Sequence, residues 1–265
     1  MKSNSVIPDR RLGQNFLVDR NILGIIERLA ALKAEDVVLE IGPGKGVLTE
    51  RLVNCVSHVH AVEIDERLRP LLEERVGGEP NLNLLFADAL RADLSSLLPA
   101  PTKLVANLPY SIATPLLMES IHQLPSLMHW CVMVQQEIAD RILAVPNTRS
   151  YGSVSVLLQL TMIRAGFHPV SRTCFHPVPR VDSALVALSR YRDWGSEYSW
   201  LRQVVVGAFG HRRKTLANSL ELAGVSSRSE IVAVLERLGR SSSARAEEFS
   251  PEEFIKLANF LSEAR

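Results

Sequence analysis

Long apolar runs, a surplus of charge and paired cysteines are all scarce in this chain of 265 residues. No hydrophobic stretch reaches the roughly 20 residues that span a bilayer, and no signal peptide opens the sequence, so a cytoplasmic protein without a membrane partner is expected. Cys55, Cys131 and Cys174 are scattered, odd in number and lack a Cys-x-x-Cys pair. That usage fits reduced thiols and excludes a zinc-stapled fold. His60, His168 and His176 show no metal-ligand spacing either, so no metal is expected. The formal net charge is only +1, so any nucleic-acid footprint must be a local patch.

What is present is enough chain for one full-sized domain and a smaller one. Strand-like runs at 37–42, 59–64, 82–87, 102–107, 130–135, 156–164 and 183–189 alternate at first with helical spacing at 46–55, 66–76, 111–122 and 137–145. This predicts an α/β fold, a mostly parallel seven-stranded sheet of Rossmann-like type with helices on both faces. The last two strands follow one another with only a loop between them and are expected to form an antiparallel hairpin at one edge. After Tyr191 the strand signal stops, and 197–209, 212–223, 228–238 and 251–263 read as helices. Ser250-Pro251-Glu252-Glu253 is a capping box with proline at the first helical position. The expected division is therefore 1–192 for the sheet domain and 193–265 for a small all-helical C-terminal domain, with Asp193 to Ser196 as linker.

The chemistry gathers where the strands end. Residues 37–46 run from a buried strand into Gly42-Pro43-Gly44-Lys45-Gly46, a spacing that departs from the Gly-x-Gly-x-x-Gly of dinucleotide folds. A pyrophosphate needs a helix N-terminus, whereas S-adenosylmethionine has no phosphate and needs only close backbone approach, which glycine allows. A tight strand-to-helix turn without a ligand is the plainer alternative. The second strand ends in Glu63-Ile64-Asp65, where Glu63 is suited to accept two ribose hydroxyls and Asp65 to cap the next helix. The third ends at Asp88, an acceptor for an adenine amine or simply a solvated strand-end acid.

The fourth strand ends in Asn107-Leu108-Pro109-Tyr110. Adenine's exocyclic nitrogen is a poor nucleophile because its lone pair is delocalised into the ring. If the Asn107 oxygen and a carbonyl of Leu108 or Pro109 each accept one N–H, the nitrogen pyramidalises and turns its lone pair toward an electrophile. Pro109 stiffens the turn, and Tyr110 can stack on the base in a contact that typically contributes about 1–3 kcal/mol. Taken alone, the tetrapeptide also reads as a strand ending in a proline turn. Four successive strands that present Gly42, Glu63, Asp88 and Asn107 at their carboxyl ends, where open α/β sheets bind ligands, are far more specific.

With these motifs the chain resembles the small-subunit ribosomal RNA adenine dimethyltransferases over nearly its whole length. The likeness adds Leu12-Gly13-Gln14-Asn15-Phe16-Leu17, Phe175-His176-Pro177-Val178-Pro179-Arg180-Val181-Asp182-Ser183 and Arg212-Arg213-Lys214-Thr215-Leu216-Ala217-Asn218-Ser219-Leu220. The resemblance implies a class I methyltransferase that transfers two methyl groups from S-adenosyl-L-methionine to each of two adjacent adenosines near the 3′ end of small-subunit RNA. It implies that Gln14, Asn15 and Leu17 close over the cofactor, that Gly42, Gly44, Glu63, Asp88 and Asn107 line it, and that Phe175 is the second aromatic wall of the base pocket. From the residues alone, Asp19 is a helix cap and Phe175 a core residue.

The expected mechanism is in-line displacement, driven by orientation and by acceptors aimed at developing positive charge. Arg10 and Arg11 flank the cofactor lid, and His211-Arg212-Arg213-Lys214 is expected to begin a tail helix, so Arg10, Arg11, Arg212, Arg213 and Lys214 are the candidate RNA contacts, with a solvated helix end an equal reading of the tail cluster. A cleft between the domains is expected to take folded RNA, with the target base extruded into the pocket. The expected partner is small-subunit RNA within an immature small ribosomal subunit, bound by a monomer. Three rivals remain at this level: a methyltransferase acting on large-subunit adenosine, a protein or small-molecule amide methyltransferase, and an RNA-binding assembly or transcription factor that retains the fold. The glycine spacing speaks against a dehydrogenase.

Overall fold

The computed structural model describes residues 7–9 and 12–263. In chain order the elements are β1 (Phe16–Leu17), α1 (Arg20–Ala30), β2 (Val37–Ile41), α2 (Val47–Val53), β3 (His58–Glu63), α3 (Arg69–Val76), β4 (Leu82–Phe86), β5 (Lys103–Asn107), α4 (Ala113–Gln123), β6 (His129–Gln135) and α5 (Gln136–Ile142). They continue with α6 (Ser153–Gln159), β7 (Met162–Val170), β8 (Phe175–His176), β9 (Ser183–Arg190), α7 (Glu197–Phe209), α8 (Leu216–Leu222), α9 (Arg228–Arg237) and α10 (Pro251–Glu263).

Seven strands form one sheet in the order β4-β3-β2-β5-β6-β9-β7. β4, β3, β2, β5 and β6 run parallel, and β9 runs antiparallel to β6. The expected α/β sheet is thus present, with β9 and β7 neighbours at one edge. The order reverses at β2 and β5, so their carboxyl ends diverge and leave a crevice there. β2 is buried along its length, as a strand covered on both faces must be. A separate two-stranded ribbon pairs β1 with β8, setting Phe16 opposite His176 and Leu17 opposite Phe175.

At the amino ends of the parallel strands a buried ion pair fixes α1. The Lys103 ammonium lies 2.9 Å from Asp36, their side chains 11% and 9% exposed, and donates to the Ala30 carbonyl at 3.0 Å and to that of Ala31. It thereby satisfies the orphan carbonyls at the end of α1. One residue at the start of β5 therefore holds a helix terminus and the strand beside it.

Two elements depart from the sequence pattern. The strand expected at 156–164 is divided into α6 and the later β7. The run Val154 to Leu158 is apolar enough for either state. A local cap decides for helix: the Gly152 N–H donates to the Ser155 hydroxyl at 3.1 Å, and that hydroxyl donates to the Arg141 carbonyl at 2.6 Å. β7 runs on to Val170 through Pro169, which only an edge strand tolerates. The helix expected at 212–223 begins only at Leu216, where the Thr215 hydroxyl caps it, so residues 211–214 form a turn.

The chain forms two compact units. One holds the sheet, in the chain up to Ala139 and Ile163–Arg190, and the other comprises Asp140–Met162 and Tyr191–Arg265. The helical unit therefore includes Asp140–Met162, a stretch that the sequence division places in the sheet domain. Its core is aromatic: Tyr151, Phe209, Phe254 and Phe249 pack at centroid distances of 5.7–5.9 Å, and the Tyr151 hydroxyl donates to the Phe249 carbonyl at 2.8 Å. The Ser250 capping box forms, with the Ser250 N–H donating to Glu253 at 2.9 Å and the Glu253 N–H to the Ser250 hydroxyl at 3.3 Å.

Removing one partner of a buried pair strands the other charge. Asp36→Ala should lower the free energy of unfolding by about 3–5 kcal/mol, read by urea denaturation. A loss below about 1 kcal/mol, the range of exposed pairs, would show that Lys103 finds water instead.

Candidate active site

A cleft opens at the carboxyl ends of β2, β3 and β5, the place where open α/β sheets bind ligands. Its floor is the glycine loop. Gly42 and Gly44 hold φ of 74° and 60°, which a side chain would strain. A Cβ on Gly44 would also meet the Phe16 ring at 3.1 Å, and one on Gly42 would meet Pro109 at 3.3 Å. The glycines therefore keep the backbone bare where a ligand must approach.

Glu63, 4% exposed, supplies the next wall. Its carboxylate accepts the N–H groups of Gly44 at 3.0 Å, Ile64 at 3.0 Å and Asp65 at 2.9 Å. Burial nevertheless raises its pKa above the ordinary carboxylate value, against the pull of those three donors. Asp65 caps the turn after β3, as its position predicts, and is held down to about 2, chiefly by the Arg67 guanidinium. Asp65 also accepts the Gln14 side-chain amide at 2.7 Å, while the Gln14 oxygen accepts the Asp9 N–H at 2.8 Å. Gln14 thus ties the segment before β1 over the cleft.

Asn107 faces the cleft from the end of β5. Its Nδ2 donates to the Asn15 carbonyl at 3.3 Å, which fixes the amide, and among the described residues none donates to Oδ1, which is left as an open acceptor. The Leu108 N–H is fixed by the Met133 carbonyl at 3.1 Å, and the Pro109 carbonyl accepts the Ile112 N–H at 3.1 Å. Among the described residues, none donates to the Leu108 carbonyl. The Tyr110 hydroxyl lies 3.0 Å from the Ser183 hydroxyl, and half-burial raises the phenol's pKa.

The structure thus brings Gln14, Asn15, Leu17, Gly42, Gly44, Glu63, Asn107, Leu108, Pro109 and Tyr110 into one cleft. Others stand apart. Asp88 lies past the end of β4, next to Glu63 in the row of strand ends but outside the cleft lining, with the Leu90 N–H at 3.0 Å and Arg91 at 3.4 Å on its carboxylate. Phe175 does not line the cleft: pairing of β8 with β1 turns it inward, 2% exposed, into the core cluster with Leu17, Ile22 and Ile26. Arg10 and Arg11 lie outside the described residues. Arg212 donates to the carbonyls of Arg149 at 2.9 Å and Tyr151 at 3.3 Å, so this cation holds the helical unit together. Arg213 and Lys214 stay exposed in the turn.

One group was missed by reading strand ends alone. Glu40 sits inside β2, 1% exposed, lines the cleft, and among the described residues its Oε2 has no hydrogen-bond partner. Burial, opposed by the neighbouring Thr49 hydroxyl and reinforced by the charge of Glu63, pushes its pKa up to about 8. The signal was in the sequence, a lone acid in the otherwise apolar strand Val37-Val38-Leu39-Glu40-Ile41. A buried acid with one open oxygen, a bare glycine floor and the Glu63 carboxylate fit S-adenosylmethionine, which carries an ammonium group and a ribose. Among the described residues no three His, Cys, Asp or Glu side chains could hold a metal, and no helix is long and apolar enough to cross a membrane.

Comparison with known proteins agrees with this chemistry. The family model for ribosomal RNA adenine dimethylase matches residues 8–263. A ribosomal RNA small subunit methyltransferase A from Rubrobacter xylanophilus is 45% identical over 94% of both chains. One from Lactococcus lactis is 42% identical over 95% of this chain and 89% of its own. Among solved structures, a dimethyladenosine transferase from Plasmodium falciparum superposes with a TM-score of 0.78 at 26% identity, covering 91% of this chain and 95% of that one. The 23S rRNA methyltransferase ErmE follows at 0.69 and 29%, covering 94% and 100%.

Glu40 gives a test of the cleft's dryness. The unfolded chain ionises this group near 4.5 and the folded one only at about 8. Between those pH values unfolding releases a proton, so the side chain costs stability that grows as pH rises. Glu40→Gln should therefore raise the Tm of the ligand-free protein more at pH 8 than at pH 5. Equal changes at both would mean that the carboxyl ionises freely in the fold.

Proposed function

The chain belongs to the ribosomal RNA adenine dimethylase family, and we propose that its cleft places the target amine between Asn107 and the Leu108 carbonyl, with Tyr110 against the base. The protein is an S-adenosylmethionine-dependent rRNA adenine dimethyltransferase, and its substrate is small-subunit rRNA. The small-subunit assignment over a large-subunit one follows from two relatives above 40% identity that carry that name. The likeness to the 23S enzyme is weaker, at 29%. A purely RNA-binding role does not account for the open Asn107 acceptor. That acceptor is the observation that carries the reading of the site. The immature small subunit is the proposed form of the substrate, met in the cytoplasm by a monomer.

S-adenosylmethionine, when bound, supplies an electrophilic methyl group on a sulfonium. The protein's own part is orientation. Glu63 offers its remaining lone pairs to the ribose hydroxyls, Glu40 its open oxygen to the ammonium, and Asp88 an acceptor at the adenine end. Asn107 Oδ1 and the Leu108 carbonyl each take one N–H of the target amine, which localises the nitrogen lone pair and stabilises the positive charge that grows on it. The Pro109 carbonyl already accepts the Ile112 N–H, whereas among the described residues none donates to the Leu108 carbonyl, which favours Leu108 as the second acceptor. No strong base is needed, because the methylated amine is acidic. After the first transfer one acceptor must be released, so the pocket has to let the amine rotate before the second.

Two kinds of loss should separate the two halves of the cleft. Glu63→Ala should weaken S-adenosylmethionine binding by about 1.5–3 kcal/mol, the range for a hydrogen bond to a charged group. Tyr110→Ala should leave that affinity nearly intact and cut single-turnover formation of dimethyladenosine on unmodified small-subunit particles. Calorimetry showing unchanged cofactor affinity for Glu63→Ala would remove Glu63 from the site, and a wild-type enzyme that forms no dimethyladenosine would overturn the assignment.

The tail cations divide in the same way. Arg213→Ala with Lys214→Ala should flatten the salt dependence of RNA binding by about 0.7 slope units for each phosphate no longer neutralised on single-stranded RNA. Arg212→Ala should instead lower the Tm, since its guanidinium serves two carbonyls within the helical unit. If the double variant leaves the salt slope unchanged, phosphates lie elsewhere.

A further inference from the structure

One flank of the cleft carries more charge and more exposed apolar surface than its own packing uses. β1 and β8 bring two distant stretches together, and the N–H groups of Val18 and Asp19 both donate to the Cys174 carbonyl, at 2.9 and 3.3 Å. The Arg172 N–H donates to the Asp182 carboxylate at 2.9 Å, and the neighbouring Ser183 holds the Tyr110 hydroxyl. Arg20, Arg172 and Arg180 therefore lie in segments that these contacts tie to one another and, through Ser183, to Tyr110.

All three are exposed, and among the described residues none of their guanidinium groups has a partner. The two acids on this flank are already engaged by backbone: Asp19 Oδ1 accepts the Asn21 N–H at 2.9 Å and Asp182 Oδ1 that of Arg172. The same backbone segments carry Val18, Val178 and Val181, 56%, 58% and 45% exposed. Free guanidinium groups match phosphate oxygens, and apolar side chains beside them match the sugar and base faces of an unstacked strand. An acidic protein surface would leave the valines without use.

We infer that Arg20, Arg172 and Arg180 form a phosphate collar that holds the RNA strand on either side of the adenosine being methylated. This rests on the RNA-substrate reading above and adds to it where the strand runs. An extruded base needs its flanking backbone held in place, and phosphate contacts do this without reading sequence. The apolar members then take the nucleotides next to the target.

The test is the variant Arg20→Gln/Arg172→Gln/Arg180→Gln, titrated with an RNA fragment from the 3′ end of small-subunit rRNA over a series of salt concentrations. Removing three phosphate-binding cations should reduce the slope of log affinity against log salt by about 2. KM for RNA should rise while kcat at saturating RNA, S-adenosylmethionine affinity and Tm stay near those of the parent. Arg28→Gln/Lys33→Gln, at and beyond the far end of α1, removes surface charge from the same helix region and should leave the slope alone. An unchanged slope in the triple variant, or the same loss per charge in the control, would overturn the collar. If the wild type binds RNA but yields no dimethyladenosine, the functional reading fails while the two slopes still decide the collar.

Discussion

At the corner where β3 ends, the Glu63 carboxylate collects the N–H groups of Gly44, Ile64 and Asp65, and much of the cleft's shape depends on that convergence. Parallel strands that stop together leave backbone donors pointing out of the sheet, and buried donors must find acceptors. One charged acceptor resolves three of them and pins the glycine loop after β2 against β3, helped by the Gly42 N–H bond to the Val62 carbonyl at 2.9 Å. Asp65, set by the same corner, holds Gln14, and the segment carrying Gln14 also brings the Asn15 carbonyl to Asn107. The acceptor proposed for the target amine is therefore oriented through a chain of hydrogen bonds that begins two strands away.

The two ends of the sheet treat buried charge in opposite ways. At the amino ends Lys103 and Asp36 satisfy one another and the last carbonyls of α1, so the charge is spent on holding the fold. At the carboxyl ends Glu40 has an oxygen with no partner, and burial raises the pKa of both Glu40 and Glu63. An unsatisfied buried acid destabilises the free protein. It persists at a place where a cationic ligand would satisfy it.

Much of this was legible before any coordinates. The glycine spacing, Glu63, Asp65 as a cap, the Asn-Leu-Pro-Tyr turn and the Ser250 capping box are local signals, each written within a few consecutive residues. Where the sequence misled, the deciding contact was remote. Val154 to Leu158 became helix because Ser155 reaches the Arg141 carbonyl. Residues 211–214 became a turn, with Arg212 committed to Arg149 and Tyr151. Phe175 lies in the core cluster, as the residues alone read it, paired through β8 with a strand more than 150 positions earlier, and its part as a base platform rests on the family likeness.

The sequence alone determined the layered α/β sheet and the chemistry at its strand ends, because apolar periodicity and turn residues act over short range. Only the tertiary structure decided which acceptors stay open. Asn107 is oriented by Asn15, the Pro109 carbonyl accepts from Ile112, and one Glu40 oxygen is left without a partner among the described residues. Each of these outcomes depends on which donor the folded chain brings within 3.5 Å, a quantity with no local signature.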